Sequence, residues 1–375
     1  MAGLYIHVPF CPKRCTYCDF FSQTELKYKA AYVEAVMREL ELRKDYLDGE
    51  PLETVYFGGG TPSQLQADDF ERIFEAIHRC HHVVAGAEIT LEANPDDLTP
   101  VYLSALQTLP FNRISLGIQS FSDADLRLLY RRHDSRQAVE AVRRCREYGY
   151  DRLSIDLIYG IPGQTVERWK ENLEVAFQLD VPHLSAYHLS YEEGTTLYRQ
   201  WQSGAVCPVD EETSVQLYYT LLYMLADAGS LQYEISNFCK PDCFSRHNSS
   251  CWTGRKYLGV GPAAHSYDHN SRQWNVASLE KYLRGIMCGE PAVEKECLDL
   301  RTQYNDCVIT RLRTMWGIRS ADLREAFGTE LAGHFLRQAQ PYIRNGLLSE
   351  SDEIFRLTPR GAFISNGILS DLMKG

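Results

Sequence analysis

The sequence predicts an α/β fold: a partial (β/α)6, TIM-like barrel of parallel strands with a C-terminal helical, winged-helix-like region. Three observations carry that expectation. Short runs of β-formers recur every ~25 to 35 residues with helical patterns between them, the spacing of repeated strand–helix units on a parallel sheet. Six such runs precede Tyr191, short of the eight that close a full barrel. After Tyr191 the pattern changes twice, dividing the chain into a partial barrel over 1–190, a barrel extension over 191–290 and the winged-helix-like part over 291–375.

The six predicted strands are Leu4 to Val8, Thr54 to Phe57, Glu88 to Glu92, Arg113 to Ile118, Leu153 to Ile158 and His183 to His188. Between them, Tyr32, Val33, Val36, Met37 and Leu40 form one apolar helix face, and Phe70, Ile73, Phe74 and Ile77 form another. Ser135 caps a helix carrying Val139 and Val142, and Gly149 ends it. Glu192 to Gly204 reads as a loop and Glu211 to Ala228 as a helix, followed by a glycine- and aromatic-rich stretch from Tyr233 to Tyr267. Helical patterns near Gln303 to Thr314, Ala321 to Phe327 and Ala332 to Asn345, a hairpin from Leu347 to Leu357 and a helix from Pro359 complete the chain.

Composition narrows the function. The 375 residues are 44% hydrophobic and 24% charged, enough for one large core or two smaller ones and against disorder. No apolar run approaches the ~20 residues of a membrane span, and Met1 to Tyr5 has neither a basic start nor a signal-peptide core. The expectation is a cytoplasmic protein that is not integral to a membrane. A net charge of −11 has the wrong sign for a phosphate-backbone partner, and Arg311, Arg313, Arg319 and Arg324 are too scattered for a recognition helix, so no nucleic acid is expected. Twelve cysteines in a chain of this length point to ligands, catalytic groups or small apolar side chains rather than disulfides. Cys80, Cys145, Cys288, Cys297 and Cys307 fall in helical patterns and read as core; Cys239 and Cys243 read as an unligated loop pair, and Tyr218, Tyr219 and Tyr223 as helix packing.

Directly after the first strand stands Cys11-Pro-Lys-Arg-Cys15-Thr-Tyr-Cys18, at the strand end where βα folds place their sites. Pro12, Lys13 and Arg14 make this loop polar, against a reading as core thiols. Three thiolates suit a [4Fe–4S] cluster with one iron left open, or zinc with His7 as fourth ligand. After the second strand, Gly58-Gly59-Gly60-Thr61-Pro62 lets a ligand approach the backbone closely. Glu92, Gln119 and Asp156 end further strands with polar groups that need a partner in the barrel mouth.

The triad, Tyr17 before its third cysteine and the glycine run together resemble the radical S-adenosylmethionine (SAM) superfamily, and the order of motifs resembles its coproporphyrinogen III oxidase-like branch. The resemblance implies a [4Fe–4S] cluster on Cys11, Cys15 and Cys18 whose open iron binds SAM. It also implies a SAM pocket lined by Tyr5, Tyr17, Gly59, Gly60, Thr61, Glu92, Gln119, Arg131 and Asp156. Members of this branch act either as an oxygen-independent coproporphyrinogen III dehydrogenase of porphyrin biosynthesis or as a haem chaperone serving membrane respiratory haemoproteins. Phe20 stands where the dehydrogenase has a further cysteine, the first strand begins at the fourth residue where the dehydrogenase has an extension, and His247-Asn-Ser-Ser-Cys251-Trp resembles the chaperone's H-N-x-x-Y-W. The expectation is therefore a haem chaperone, with the dehydrogenase as alternative and a zinc-stabilised binding protein as a third reading. Cys251 replaces the family tyrosine; His247 and Cys251 are candidate haem ligands, with His265 of Gly259-Val-Gly-Pro-Ala-Ala-His265 second to them. The alternative for His247, Asn248 and Trp252 is a loop packed over the barrel mouth. No segment demands a homodimer, and none forbids it.

Overall fold

Along the first six strands apolar and polar residues alternate, and that alternation decides the architecture. The structure, a computed structural model, describes residues 1–375. Its first half runs β1 (Ala2–Val8), α1 (Lys29–Leu42), β2 (Leu52–Gly59), α2 (Ala67–Cys80), β3 (Val83–Ala93), α3 (Pro100–Leu106), β4 (Arg113–Gln119), α4 (Asp123–Leu128), α5 (Ser135–Glu147), β5 (Leu153–Tyr159), α6 (Val166–Gln178) and β6 (His183–His188). Strands β1 to β6 pair in sequence order and all parallel. Leu4, Ile6, Val8, Val55, Phe57, Leu91, Leu116 and Ile155 are fully buried on the helix side. The alternate positions, among them Thr54, Glu88, Arg113 and Ser154, turn inward and make the barrel interior polar. Helix α1 buries Tyr32, Val33, Val36 and Leu40 with Met37 at its edge, and α2 buries Phe70, Ile73, Phe74 and Ile77.

The start of α5 corrects the expected cap. Asp134, not Ser135, is the N-cap: its carboxylate accepts from Gln137 N at 2.8 Å while the Gln137 side chain accepts from Asp134 N at 2.9 Å. The reciprocal capping box outcompetes a lone serine hydroxyl. Gly149 follows the helix with a φ of 84°, the left-handed conformation that glycine adopts most easily.

The segment after β6 contains α7 (Thr196–Gln202), α8 (Glu211–Asp227), β7 (Leu231–Gln232), β8 (Asn237–Cys239), α9 (Arg246–Trp252), β9 (Tyr257–Val260), β10 (His265–Tyr267), β11 (Ser271–Asn275), α10 (Leu279–Met287) and β12 (Val293–Cys297). The expected loop from Glu192 to Gly204 thus holds a helix. The Thr195 hydroxyl caps α7 by accepting from Tyr198 N at 3.1 Å, and with only Leu197 buried in it the helix has no apolar stripe to read. Strands β8 and β7 continue the sheet antiparallel beyond β6; β9 adds parallel beside β1, and β10, β11 and β12 follow antiparallel. The result is one 12-stranded sheet. Helix α9 plugs the N-terminal end of the barrel, where His247 Nδ1 lies 2.8 Å from Thr54 Oγ1 and the His247 amide donates to Glu88 at 2.9 Å.

The last part comprises α11 (Leu300–Leu312), β13 (Ile318–Arg319), α12 (Ser320–Arg344), β14 (Leu348–Ser351), β15 (Ile354–Leu357), α13 (Pro359–Phe363) and α14 (Ser365–Leu372). It has its own core of 13 buried residues, including Tyr304, Phe335 and Phe355, around a three-stranded antiparallel sheet. The two helices expected between Ala321 and Asn345 join as α12 with a break at Gly328, whose φ of 80° is not helical. The expected final helix divides into α13 and α14. Of the cysteines read as core, Cys145 is buried, Cys80 and Cys307 are half-buried, and Cys288 and Cys297 are exposed, the last on β12 rather than a helix. Of the tyrosines read as packing, Tyr218 is buried and Tyr223 exposed. No helix is long and apolar enough to cross a membrane.

One buried carboxylate ties the extension to the barrel. Glu39 on α1 is fully buried and accepts from Arg43 at 3.1 Å, Asn275 Nδ2 at 2.8 Å, Gly261 N at 2.9 Å and Tyr282 OH at 2.7 Å. Replacing Glu39 with Ala strands the Arg43 charge and three donors in the interior, so urea unfolding should show a loss of about 3–5 kcal/mol. A loss below about 1 kcal/mol would mean that water or a rearranged Arg43 satisfies the network.

Candidate functional site

The loop after β1 is tied down at both ends. Cys11 N donates to Gln23 O at 2.9 Å, Gln23 N to Pro9 O at 2.7 Å and Thr16 N to Leu129 O at 3.2 Å, while Lys13 Nζ sits 3.3 Å from the centre of the Tyr130 ring. Cys11, Cys15 and Cys18 thereby line one cavity of about 430 Å³ at the C-terminal ends of the strands. Cys11 Sγ lies 3.2 Å from Thr61 Oγ1, and Arg131 Nη1 donates to Cys15 Sγ at 3.3 Å. Burial pushes the Cys11 thiol up and that of Cys18 to about 11, so holding them as thiolates needs a bound cation. No group of three or more His, Cys, Asp and Glu side chains is close enough to hold a single metal ion. The donor set, soft thiols presented from one loop with hydrogen-bond donors behind two of them, fits a multi-iron cluster. Zinc with His7 as fourth ligand does not fit. His7 Nε2 is 2.9 Å from Phe21 O and Nδ1 is 3.2 Å from Tyr5 OH, so both nitrogens are engaged.

The glycine run forms the adjacent wall. Gly59 has a φ of 106°, and a Cβ there would stand 2.6 Å from the His7 ring; at Gly60 it would meet the backbone of Val8 and Phe10 at 2.9–3.0 Å. Only glycine permits this close approach. The Gly59 amide donates to Glu92 at 3.2 Å, and Tyr56 OH donates to the same carboxylate at 2.7 Å. Burial nonetheless pushes Glu92 up to about 7 and Asp156 to about 6, although Arg131 and Arg113 pull Asp156 down. Two carboxyls so placed favour a positively charged ligand. Gln119 reaches the same wall through a bulge between Gly117 and Gln119 and a left-handed φ of 71°, unusual for a side chain. Arg131 also donates to Asn94 Oδ1 and Gly117 O, while its Nε is buried without a partner.

Eight of the nine residues expected in the SAM pocket line this cavity: Tyr17, Gly59, Gly60, Thr61, Glu92, Gln119, Arg131 and Asp156. Tyr5 does not. It lies deeper, its ring 6.1 Å from Tyr56 and 6.3 Å from His247, because it precedes the C-terminal end of β1 by one turn of the pleat. His247, Asn248, Cys251 and Trp252 lie on α9 at the opposite end of the barrel and do not cover the mouth; Asn248 lines a small interior cavity of about 50 Å³ that Glu92 and Asp156 share with the larger one. His247 is buried, its ring 4.8 Å from Tyr56, and burial pushes its pKa down to about 4. It is a neutral structural histidine, closed to a macrocycle; Cys251 is exposed. Asn94, Ser115, Tyr187 and His188 also line the cavity and were not singled out from sequence. Tyr187 and His188 end the sixth strand, so the strand-end rule that found Glu92 would have found them.

Because the folded pKa values of Glu92 and Asp156 lie above those of the unfolded chain, their contribution to stability is present below about pH 4 and is lost as pH rises through about 6 and 7. Urea unfolding of cofactor-free protein should show a decline of about 2 kcal/mol per carboxyl between pH 4.5 and 8, and Glu92→Gln should remove its share. An unchanged pH slope in the variant would assign the decline elsewhere.

Residues 5–176 match the Radical SAM superfamily and residues 298–364 the HemN C-terminal domain. The chain is 31% identical to "Heme chaperone HemW" of Bacillus subtilis (strain 168) over 98% of both chains. It is 32% identical to the protein of that name from Mycobacterium tuberculosis (strain ATCC 25618 / H37Rv) over 99% of this chain and 94% of that one. Coproporphyrinogen III oxidase (HemN) from Escherichia coli, described as a radical SAM enzyme, shares the fold with a TM-score of 0.86 at 22% identity, covering 100% of this chain and 90% of that structure. The thiol triad, the glycine wall and the match along the whole length place the chain in the radical SAM superfamily, in the coproporphyrinogen III oxidase-like branch together with the HemW proteins.

Proposed function

We propose that the protein is a cytoplasmic haem chaperone that holds a [4Fe–4S] cluster on Cys11, Cys15 and Cys18, binds SAM in the adjoining cavity and passes haem to membrane respiratory haemoproteins. The observation that carries the reading is the convergence of three thiols and two unneutralised carboxyls, Glu92 and Asp156, on one cavity, in a chain that matches proteins named haem chaperones end to end. When bound, the cluster supplies one electron to SAM.

The chain's own residues do the rest. Arg131 donates to Cys15 sulfur, and Thr61 Oγ1, 3.2 Å from Cys11 sulfur, can donate to it once that sulfur is a thiolate; both stabilise the anionic ligand set and favour the reduced state. Glu92 and Asp156 offer negative charge to the ammonium and sulfonium of SAM and exchange their protons for it. Gly59 and Gly60 let the turn pack directly against His7 and the backbone of Val8 and Phe10, which sets the cavity wall beside the cysteine loop. Phe20, 61% exposed at the rim, leaves the loop without a fourth thiol at that point. The runner-up is oxidative decarboxylation of coproporphyrinogen III, favoured by the intact SAM-type cavity and the HemN fold.

Anaerobic reconstitution followed by iron analysis, haem titration and a porphyrinogen assay with SAM and reductant separates these readings. Close to four irons per chain are expected, lost on Cys15→Ser, with stoichiometric haem binding and no decarboxylated product. Robust decarboxylation would overturn the chaperone reading; colourless protein holding zinc at the triad would overturn the cluster.

A further inference from the structure

Below the cofactor cavity the barrel encloses a second, smaller chamber of about 50 Å³. Glu92, Ser115, Asp156 and Tyr187 line both spaces and so form the ring between them. Beneath that ring the wall is almost wholly polar: Thr90 on β3, Arg113 on β4, Ser154 on β5, His183 and Ser185 on β6, and Asn248 on α9. Two of these groups are orphaned. Thr90 and His183 are 1% and 2% exposed, and Thr90 Oγ1 and His183 Nδ1 have no hydrogen-bond partner in the chain. Such groups in a polar cavity are met by internal water, and 50 Å³ leaves room for about three molecules at ~15 Å³ each.

Proton balance gives this water a task. Glu92 and Asp156, raised by burial to about 7 and about 6, are partly protonated at neutral pH, and a cationic ligand in the mouth drives the remaining protons off. That ligand occupies the upper cavity and so closes the direct way out. The groups facing the two carboxyls offer no base. Burial raises the Tyr5, Tyr56 and Tyr187 phenols and lowers the His183 imidazole, so none of them takes up a proton near neutral pH. Arg113 and Arg131 are donors only; Arg113 donates to Ser154 at 2.7 Å and lies 3.7 Å from Glu88. Downwards the chamber ends on Asn248, half-buried on the helix that closes the floor, so this residue meets both the chamber and solvent.

We infer that this chamber is an internal water site that hydrates the inner faces of Glu92 and Asp156 and carries their protons towards Asn248 while the mouth is occupied. The carboxyl O–H bond breaks, the proton passes to the adjoining water, each water hands one on, and a buffer base outside takes it up. The inference rests on the SAM-binding reading. Two variants test it. Thr90→Val keeps the shape and removes the orphaned hydroxyl. In cofactor-free protein it should lower the melting midpoint, because a water loses its partner, and move the pH at which stability declines upwards. An unchanged or higher midpoint would mean a dry chamber and overturn the inference. Asn248→Leu, folded by circular dichroism, closes the floor end. With cluster-loaded protein, SAM and a pH-indicator dye in a stopped-flow mixer, proton release should keep pace with SAM binding in wild type. In Asn248→Leu it should lag at least tenfold at unchanged SAM affinity. Release that keeps pace in the variant would put the exit at the mouth and overturn the outlet, leaving the SAM reading intact. If wild type binds no SAM, that reading falls instead, while Thr90→Val in cofactor-free protein still decides whether the chamber holds water.

Discussion

The polar interior of a parallel barrel is the constraint from which the rest follows. Parallel strands covered by helices are ordinarily apolar on both faces. Here most of the inward positions of the six central strands carry Thr, Ser, Tyr, His, Glu, Asp or Arg, and each must be paired or meet a ligand. The floor is largely paired, although Thr90 Oγ1 and His183 Nδ1 are buried without a partner. Glu88 lies 3.7 Å from Arg113, Arg113 donates to Ser154 at 2.7 Å, His183 Nε2 lies 2.8 Å from Tyr233 OH, and α9 supplies His247 to Thr54. The mouth is not: Glu92 and Asp156 face a cavity, and burial raises both well above the usual carboxylate range, to about 7 and about 6.

This difference along one axis separates structure from function more sharply than residue type does. Glu39, Glu88 and Glu92 are all buried glutamates. Glu39 has four donors and Glu88 has an arginine and an amide, so each completes a fixed network. Glu92 has a phenol and one amide and sits beside a second carboxyl, a deficit that a cationic ligand fills.

What was legible in the sequence is what depends on local spacing. The cysteine triad, the glycine run and Glu92 or Asp156 at strand ends follow from the order of residues along single βα units, and they converge because parallel strands all end on the same side. Tyr5 and His247 were misplaced because their surroundings are long-range. Tyr5 is one pleat short of the mouth, and α9 reaches the floor only because β9 pairs back beside β1, a parallel contact between residues more than 250 apart in the chain. Asp134 against Ser135 is a contest between neighbouring caps that the reciprocal Gln137 bond decides. The helix over Thr196–Gln202 has too little apolar pattern to show.

Backbone strain marks the same places by an independent route. Gln119 and Ala263 adopt left-handed φ values without being glycine, at a cost of about 1 kcal/mol or more each, and such strain persists only where surrounding bonds over-determine it. At Gln119 the bulge swings an amide into the cavity that a regular strand would have aimed into the sheet. At Ala263 the three backbone bonds of the turn hold His265 against Trp274 and beside the base of the cysteine loop. Glycine would relax the backbone at either position, but at Gln119 the strained residue itself supplies the side chain that lines the cavity. Strain and under-partnered buried carboxyls therefore converge on one end of the barrel, while the opposite end is closed by α9, whose His247 is bonded to Thr54 and Glu88.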